Sequence, residues 1–180
     1  MKVCLLGDGS VGKTALRERF IGRAFRPNYL MTIGADFTLR RIMVGQDEYK
    51  VQIWDLAGQM GFKDVRKLYY KGSDGFLIVF DLTRLPSYEN VVNWVDEGFK
   101  HLERKPIPIV LVGNKLDLRQ AEDGSHVSNE AGRKLAEHIR EKYLDENTPV
   151  QYIETSAKTA ENVDAAFTLL AKFVADSAGE

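Results

Sequence analysis

Residues 7–14 read Gly-Asp-Gly-Ser-Val-Gly-Lys-Thr, set between the apolar run Val3-Cys4-Leu5-Leu6 and a helical pattern that starts at Ala15. Few folds accept a glycine-rich turn that joins a buried strand to a helix and ends in Lys-Thr. Glycines let the backbone curl so that consecutive N–H groups point inward at phosphate oxygens, and the dipole of a helix beginning near Gly12 adds partial positive charge. The N–H groups from Gly9, Ser10, Val11, Gly12, Lys13, Thr14 and Ala15 are the candidates for that cradle. Lys13 would reach the β- and γ-phosphates, and the Thr14 hydroxyl would ligate a magnesium ion. The same octet contains Gly-x-Gly-x-x-Gly, so Gly7, Gly9 and Gly12 by themselves do not separate a dinucleotide from a triphosphate. Lys13-Thr14 separates them, because a dinucleotide loop has no use for a lysine at that point.

Around this turn the chain alternates short apolar runs with longer amphipathic stretches, the pattern of a wound α/β domain. Buried strands are predicted at Val3–Leu6, Phe76–Phe80, Ile109–Val112 and Val150–Ile153. Helical stripes at three- or four-residue spacing run through Val91, Val95, Phe99 and Leu102; through Ala131, Leu135, Ile139 and Tyr143; and through Val163, Phe167, Leu170 and Val174. The segment from Phe37 to Trp54 breaks the alternation. Two strand-like halves flank Val44-Gly45-Gln46-Asp47 with no room for a helix, which predicts a hairpin and one antiparallel strand in a parallel sheet. Loops are predicted at Ile21–Asp36, Ala57–Tyr69, Leu116–Val127 and Ser156–Glu161, where ligand contacts would gather.

A chain of 180 residues is one domain's worth, read here as 1–180, and buries roughly 70% of its unfolded surface without a disulfide or metal staple. With 25 Lys+Arg against 26 Asp+Glu, there is no global field to draw in nucleic acid or an anionic membrane. The one cysteine, Cys4, falls in a buried run. His101, His126 and His138 lie too far apart for a metal site. No apolar run is long enough to span a bilayer, Met1 leads straight into the first strand, and no cysteine beyond Cys4 could carry a lipid. The expectation is a cytoplasmic chain with no direct membrane anchor.

Three further segments carry chemistry. Trp54-Asp55-Leu56-Ala57-Gly58-Gln59 ends the second hairpin strand, and an aspartate there suits the magnesium side of a phosphate-loop enzyme. Gly58 leaves a backbone N–H free to meet a γ-phosphate, and Gln59 is placed to orient an attacking water. Asn114-Lys115-Leu116-Asp117 follows the strand at Ile109–Val112. The Asp117 carboxylate can accept two hydrogen bonds from the N1–H and exocyclic amine of guanine, a donor pair that adenine lacks on that edge. Lys115 can lay its alkyl stem over the base, and Asn114 can tie this loop to the phosphate loop. Ser156-Ala157-Lys158, after the last strand, supplies a backbone N–H for the guanine carbonyl and a second aliphatic stem.

In this order and spacing, these segments resemble the Ras superfamily of small GTPases along essentially the whole chain, with its Rab branch most similar. The branch resemblance lies in Thr32-Ile33-Gly34-Ala35-Asp36-Phe37, in Trp54 before Asp55, and in Tyr69-Tyr70. It implies a P-loop NTPase G domain: a six-stranded, mostly parallel sheet with one antiparallel strand, flanked by about five helices. It further implies GTP and GDP as ligands with Mg2+, slow GTP hydrolysis, and signalling in vesicle traffic. Phe25 would pack edge-on against the guanine, Tyr29 would cover the phosphates, and Thr32 would ligate magnesium and sense the γ-phosphate, giving metal ligands Thr14, Thr32 and Asp55. Catalysis would fall to Gln59, Lys13, Thr32 and Gly58. Switch I would span about 25–36 and switch II about 55–70. They would present Phe37, Trp54 and Tyr69 to effectors and meet an activating protein and an exchange factor, the chain itself being a monomer.

Several positions depart from the family pattern. Leu56 stands for a threonine. Met60 stands for the glutamate that serves nucleotide exchange. Tyr29, not arginine, lies three residues before Thr32, so the transition-state cation that heterotrimeric Gα subunits carry in cis is missing there.

Overall fold

The structure is a computed structural model and describes residues 1–27, 31–102, 106–120 and 124–178. Its strands are β1 (Lys2–Leu6), β2 (Ala35–Val44), β3 (Asp47–Leu56), β4 (Gly75–Asp81), β5 (Ile109–Asn114) and β6 (Val150–Glu154). They form one six-stranded sheet in the order β2-β3-β1-β4-β5-β6. Every neighbouring pair is parallel except β2 with β3, whose register runs from Ala35↔Leu56 to Val44↔Asp47 across the two-residue turn Gly45-Gln46. The hairpin and the single antiparallel strand predicted from the polar–apolar alternation are therefore present.

The helices are α1 (Lys13–Phe20), α2 (Lys63–Tyr70), α3 (Leu85–Glu89), α4 (Val91–Lys100), α5 (Asn129–Tyr143) and α6 (Val163–Ala178). Five of them have eight residues or more, and α3 is a five-residue turn leading into α4. Three boundaries differ from those the residue pattern predicts. The predicted loop 57–69 contains all of α2 but its last residue, Leu102 lies past the end of α4, and β2 begins at Ala35, inside the predicted loop 21–36. In α2 the apolar Val65 and Leu68 point outward, 37% and 76% exposed, while Arg66 is buried. An inverted pattern of that kind hides a helix from periodicity.

Period-two alternation divides the core between the two faces of the sheet. Val3, Leu5, Leu77, Val79, Val110 and Val112 pack toward α1 and α6. Cys4, Leu6, Phe76, Ile78, Ile109 and Leu111 pack toward the opposite side, with α4 and α5. Because the chain crosses to β3 on one side of β1 and to β4 on the other, the order in which strands are added reverses at β1, although all three strands run parallel. The crevice beyond the carboxyl end of β1 is where open α/β sheets bind ligands. Residues 7–12 occupy that crevice.

Candidate functional site

Leaving β1, the chain bends through Gly7 to Gly12 and enters α1. Gly12 stands at the helix N-cap with φ +102, a left-handed conformation that strains a side chain, and an added Cβ would meet Asn114 Nδ2 at 2.3 Å. No acidic residue lies in the first turn of α1, so the positive end of its dipole faces the loop unneutralised. Lys13, 6% exposed, donates from Nζ to the carbonyls of Gly7 at 2.6 Å and Asp8 at 2.8 Å. Burial pushes its ammonium down to about 8, against the pull of Asp55 and Asp8.

Beside Lys13, three oxygen groups from three separate segments converge. The Thr14 hydroxyl donates to Asp55 Oδ2 at 2.5 Å and lies 2.9 Å from the Thr32 hydroxyl, which also reaches Asp55 Oδ2 at 3.3 Å. Asp55 is fully buried, and its other oxygen, Oδ1, is buried with no hydrogen-bond partner. Burial raises the carboxyl above its ordinary range. A buried carboxylate oxygen without a partner, flanked by two hydroxyls, is a hard oxygen donor set that suits Mg2+, and the residues fit the ion that the resemblance implies.

The strand after Thr32 and the loop after Asp55 are joined through backbone. Ala57 N–H donates to Gly34 O at 2.9 Å. Gly58 lies against the phosphate loop so closely that an added Cβ would sit 2.5 Å from Asp8 C and Gly7 O and 2.6 Å from Gly9 N. Only glycine allows that approach. The Gln59 amide donates from Nε2 to Met31 Sδ at 3.1 Å, and Gln59 Oε1 is buried without a partner. A cavity of about 370 Å³ contains this ensemble: Gly9, Lys13, Thr14, Thr32, Gly58 and Gln59 line it.

A second, mostly apolar cavity of about 290 Å³ continues from the first, with Gly12, Ala15, Phe25, Pro27, Lys115 and Leu118 shared between them. Asn114, Asp117, Ala157 and Lys158 line its far end. Asn114, 1% exposed, joins the two halves. Its Nδ2 donates to Val11 O at 2.9 Å, and its Oδ1 accepts from Thr155 Oγ1 at 3.1 Å and from Ala157 N–H at 3.3 Å. The tie predicted between the two loops is present, and it occupies the N–H of Ala157, in the segment predicted to supply one backbone N–H to the guanine carbonyl. Asp117 Oδ1 accepts from the buried Ser156 hydroxyl at 2.6 Å, and Lys158 Nζ stands 3.9 Å from Oδ2. Ser156 thus touches Asp117 and does not line the cavity. The Lys115 ammonium pairs with Asp81 at 2.6 Å, which holds its stem across the cleft.

Of the predicted site residues within the described chain, Val11, Asp55 and Ser156 are buried behind the wall of the joined cleft and the others line it; Tyr29 lies outside the described residues. Phe37, Trp54 and Tyr69 form one continuous aromatic surface, with ring centroids 4.9 and 5.1 Å apart. A larger groove of about 580 Å³ runs along β6 beside α5, but no phosphate-loop residue lines it. Motif reading missed several residues that support the site. Arg84 donates to Gly9 O at 2.8 Å, Asn90 and Trp94 both donate to Asp8 Oδ1, and Arg19 holds the carbonyls of Ala157 and Lys158. None has a local sequence signal. Among the described residues, no helix is long and apolar enough to cross a membrane.

A sequence model of the Ras family matches residues 2–176. The human Ras-related protein Rab-8B is 38% identical over 171 residues, covering 95% of this chain and 76% of that protein. The Ras-related protein SEC4 of Candida albicans is 38% identical over 174 residues, or 97% and 77% of the two chains. The GTP-binding protein ypt2 of Schizosaccharomyces pombe is 40% identical over 172 residues, or 96% and 80%.

Proposed function

The chain belongs to the Ras family, in its Rab branch, and from that premise we propose that residues 1–180 form one G domain that binds guanine nucleotide in the joined cleft and hydrolyses GTP slowly. One observation carries this reading. The phosphate loop and the pocket containing Asp117 form a single cleft held together by Asn114, so recognition of the base and handling of the phosphates occur on one ligand.

In this proposal the Asp117 carboxylate accepts from the two guanine donors while the Ser156 hydroxyl keeps it oriented. Lys13 transfers its N–H bonds from the loop carbonyls to β- and γ-phosphate oxygens, and ammonium and anion then stabilise each other. Thr14, Thr32 and Asp55 would hold Mg2+, which would supply positive charge to offset the negative charge of the phosphates. The Gln59 Oε1 accepts a hydrogen bond from the attacking water, and the Thr32 carbonyl accepts the other, so the water's lone pair faces phosphorus in line. No arginine occupies the cis position before Thr32. A charge of that kind is worth roughly 10³ to 10⁵ in rate, so turnover is slow alone and an activating partner accelerates it.

The output is a change of surface. With a γ-phosphate present, Thr32 and Gly58 are held to it. After hydrolysis both contacts go, and the link from Ala57 to Gly34 transmits the release to the Phe37–Trp54–Tyr69 surface that effectors, activator and exchange factor meet. We place the protein in the cytoplasm as a monomeric switch in vesicle traffic.

Phosphate release by the purified protein under saturating GTP, and separately under ATP, tests the reading. Release from GTP alone is expected. Tight GTP binding without release would reduce the protein to a nucleotide-loaded binding module, and equal release from ATP would overturn the assignment of the base pocket.

A further inference from the structure

Arg66 is buried to 1% exposure in α2, where an arginine would ordinarily face solvent. Each nitrogen of its guanidinium donates. Nη1 donates to two backbone carbonyls, Ala57 O at 2.9 Å and Gln59 O at 2.7 Å. Nε and Nη2 make a bidentate pair with Glu97 of α4 at 2.8 and 3.0 Å. The group lies over the Trp94 ring, 4.5 Å from its centroid. Tyr70 donates to the same Glu97 from its hydroxyl at 2.7 Å. Burial works to raise the Glu97 carboxyl, but the bonds from Arg66 and Tyr70 outweigh it and keep the group ionised and below the usual carboxylate range.

The two carbonyls bracket Gly58, the residue whose backbone touches the phosphate loop, and belong to the residues on either side of it. The same helix also holds the other wall of the cleft, since Trp94 Nε1, together with Asn90 Nδ2 at the helix start, donates to Asp8 Oδ1, at 2.8 and 2.5 Å respectively. One helix therefore fixes both the loop that cradles phosphate and the loop that carries Gln59. Trp94 contributes to each connection, donating to Asp8 from its ring nitrogen and stacking under Arg66 with its face.

We propose that Arg66, backed by Glu97 and Trp94, is the positioning residue that sets the backbone of Ala57–Gln59 against the phosphate loop, and through it the side chain of Gln59 against the attacking water. The inference rests on the role given to Gln59 above. Without the clamp, the two carbonyls turn to solvent, the segment between β3 and α2 loses its tie to α4, and Gln59 samples orientations that do not present Oε1 to water. A misplacement of about 1 Å at a reacting group can cost on the order of a hundredfold in rate, while the phosphate cradle and base pocket, built on other residues, keep their grip on nucleotide.

Three variants test this in the full chain: Arg66→Met, which removes all the bonds; Arg66→Lys, which keeps the charge but not the fork; and Glu97→Gln, which keeps shape but not charge. Each is preloaded with GTP and magnesium and followed through a single turnover, with GTP affinity, thermal unfolding and backbone hydrogen exchange at residues 57–61 measured alongside. Arg66→Met is expected to hydrolyse about ten- to a hundredfold more slowly with GTP affinity within about threefold, and to lose exchange protection at 57–61 but not at 9–14. Arg66→Lys and Glu97→Gln should fall between it and the parent. Equal hydrolysis and equal protection in folded Arg66→Met, or a loss of affinity matching the loss of rate, would overturn the proposal. If Arg66→Met fails to fold, Arg66→Lys and Glu97→Gln decide by the same measurements. Hydrogen exchange also keeps the two readings apart, since a parent that binds GTP without hydrolysing it would refute the role of Gln59 while the protection at 57–61 still reports on the clamp.

Discussion

Replacing Asn114 should damage the site at the joint between its halves. The side chain makes three buried hydrogen bonds, one to the phosphate loop at Val11 and two from the base loop at Thr155 and Ala157. At a net worth of about 1 kcal/mol each, Asn114→Ala forfeits about 3 kcal/mol. It also leaves the Val11 carbonyl and the Ala157 N–H facing a hole. For a domain of this size that loss lowers the unfolding midpoint by roughly 6–12 °C. Asn114→Asp separates the two halves of the effect. It keeps the oxygen that serves Thr155 and Ala157, but turns an oxygen toward the Val11 carbonyl where an N–H used to donate, so the base loop stays tied and the phosphate loop is pushed away. Both variants should bind GDP at least about tenfold more weakly, which needs only about 1.4 kcal/mol of the lost energy to appear in binding. Thermal unfolding is compared at matched fractional saturation with GDP, because bound ligand adds its own stabilisation, and GDP affinity is measured by titration calorimetry. Asn114→Ala melting within about 2 °C of the parent and binding GDP equally well would refute the idea that this side chain joins the cleft.

Other substitutions probe the two ends of the cleft. Asp117→Asn removes two charge-assisted acceptors worth about 1.5–3 kcal/mol each, so GTP affinity should fall by about a hundredfold or more and xanthine nucleotide should gain; a variant that still prefers GTP over xanthosine triphosphate in competition binding contradicts the role of the carboxylate. Gln59→Leu should retain GTP affinity and lose most single-turnover hydrolysis, and undiminished hydrolysis would remove Gln59 from the mechanism. Gly58→Ala puts a methyl 2.5–2.6 Å from three backbone atoms of the phosphate loop. Backbone cannot move aside as a side-chain tip can, so an overpacking cost of about 1–3 kcal/mol should open the contact and weaken GTP more than GDP. An unchanged ratio of the two affinities would show that Gly58 does not sense the γ-phosphate.

Chemistry carried by contiguous backbone is legible in residue order alone. Gly7 to Thr14 is one turn whose N–H groups, lysine and hydroxyl are fixed relative to one another by a few bonds, so its ligand follows from residue type and order. The hairpin across Gly45-Gln46 is equally legible, because a period-two pattern on both sides of a two-residue turn leaves no other pairing. Asn114, Lys115 and Asp117 stand out for the same reason: they sit in a short loop at a strand end, and strand ends in a parallel sheet point to the crevice.

Tertiary structure decides the residues that hold those loops in place. The pairs Arg66–Glu97, Asp8–Trp94, Arg84–Gly9 and Arg19–Lys158 join positions 31, 86, 75 and 139 residues apart. Each involves a side chain that a sequence assigns by default to solvent or to the core. Charged side chains are buried only when a partner neutralises them, and the partner is chosen by which strands lie side by side and which helix crosses them. The helix α2 escapes periodicity on the same ground, since its inward face is Arg66 and its outward face Val65 and Leu68, a reversal that makes sense only once Glu97 and Trp94 stand opposite. The ligand is written in local order, whereas the geometry that would make Gln59 useful depends on a helix more than thirty residues away, brought beside it by the order of the strands.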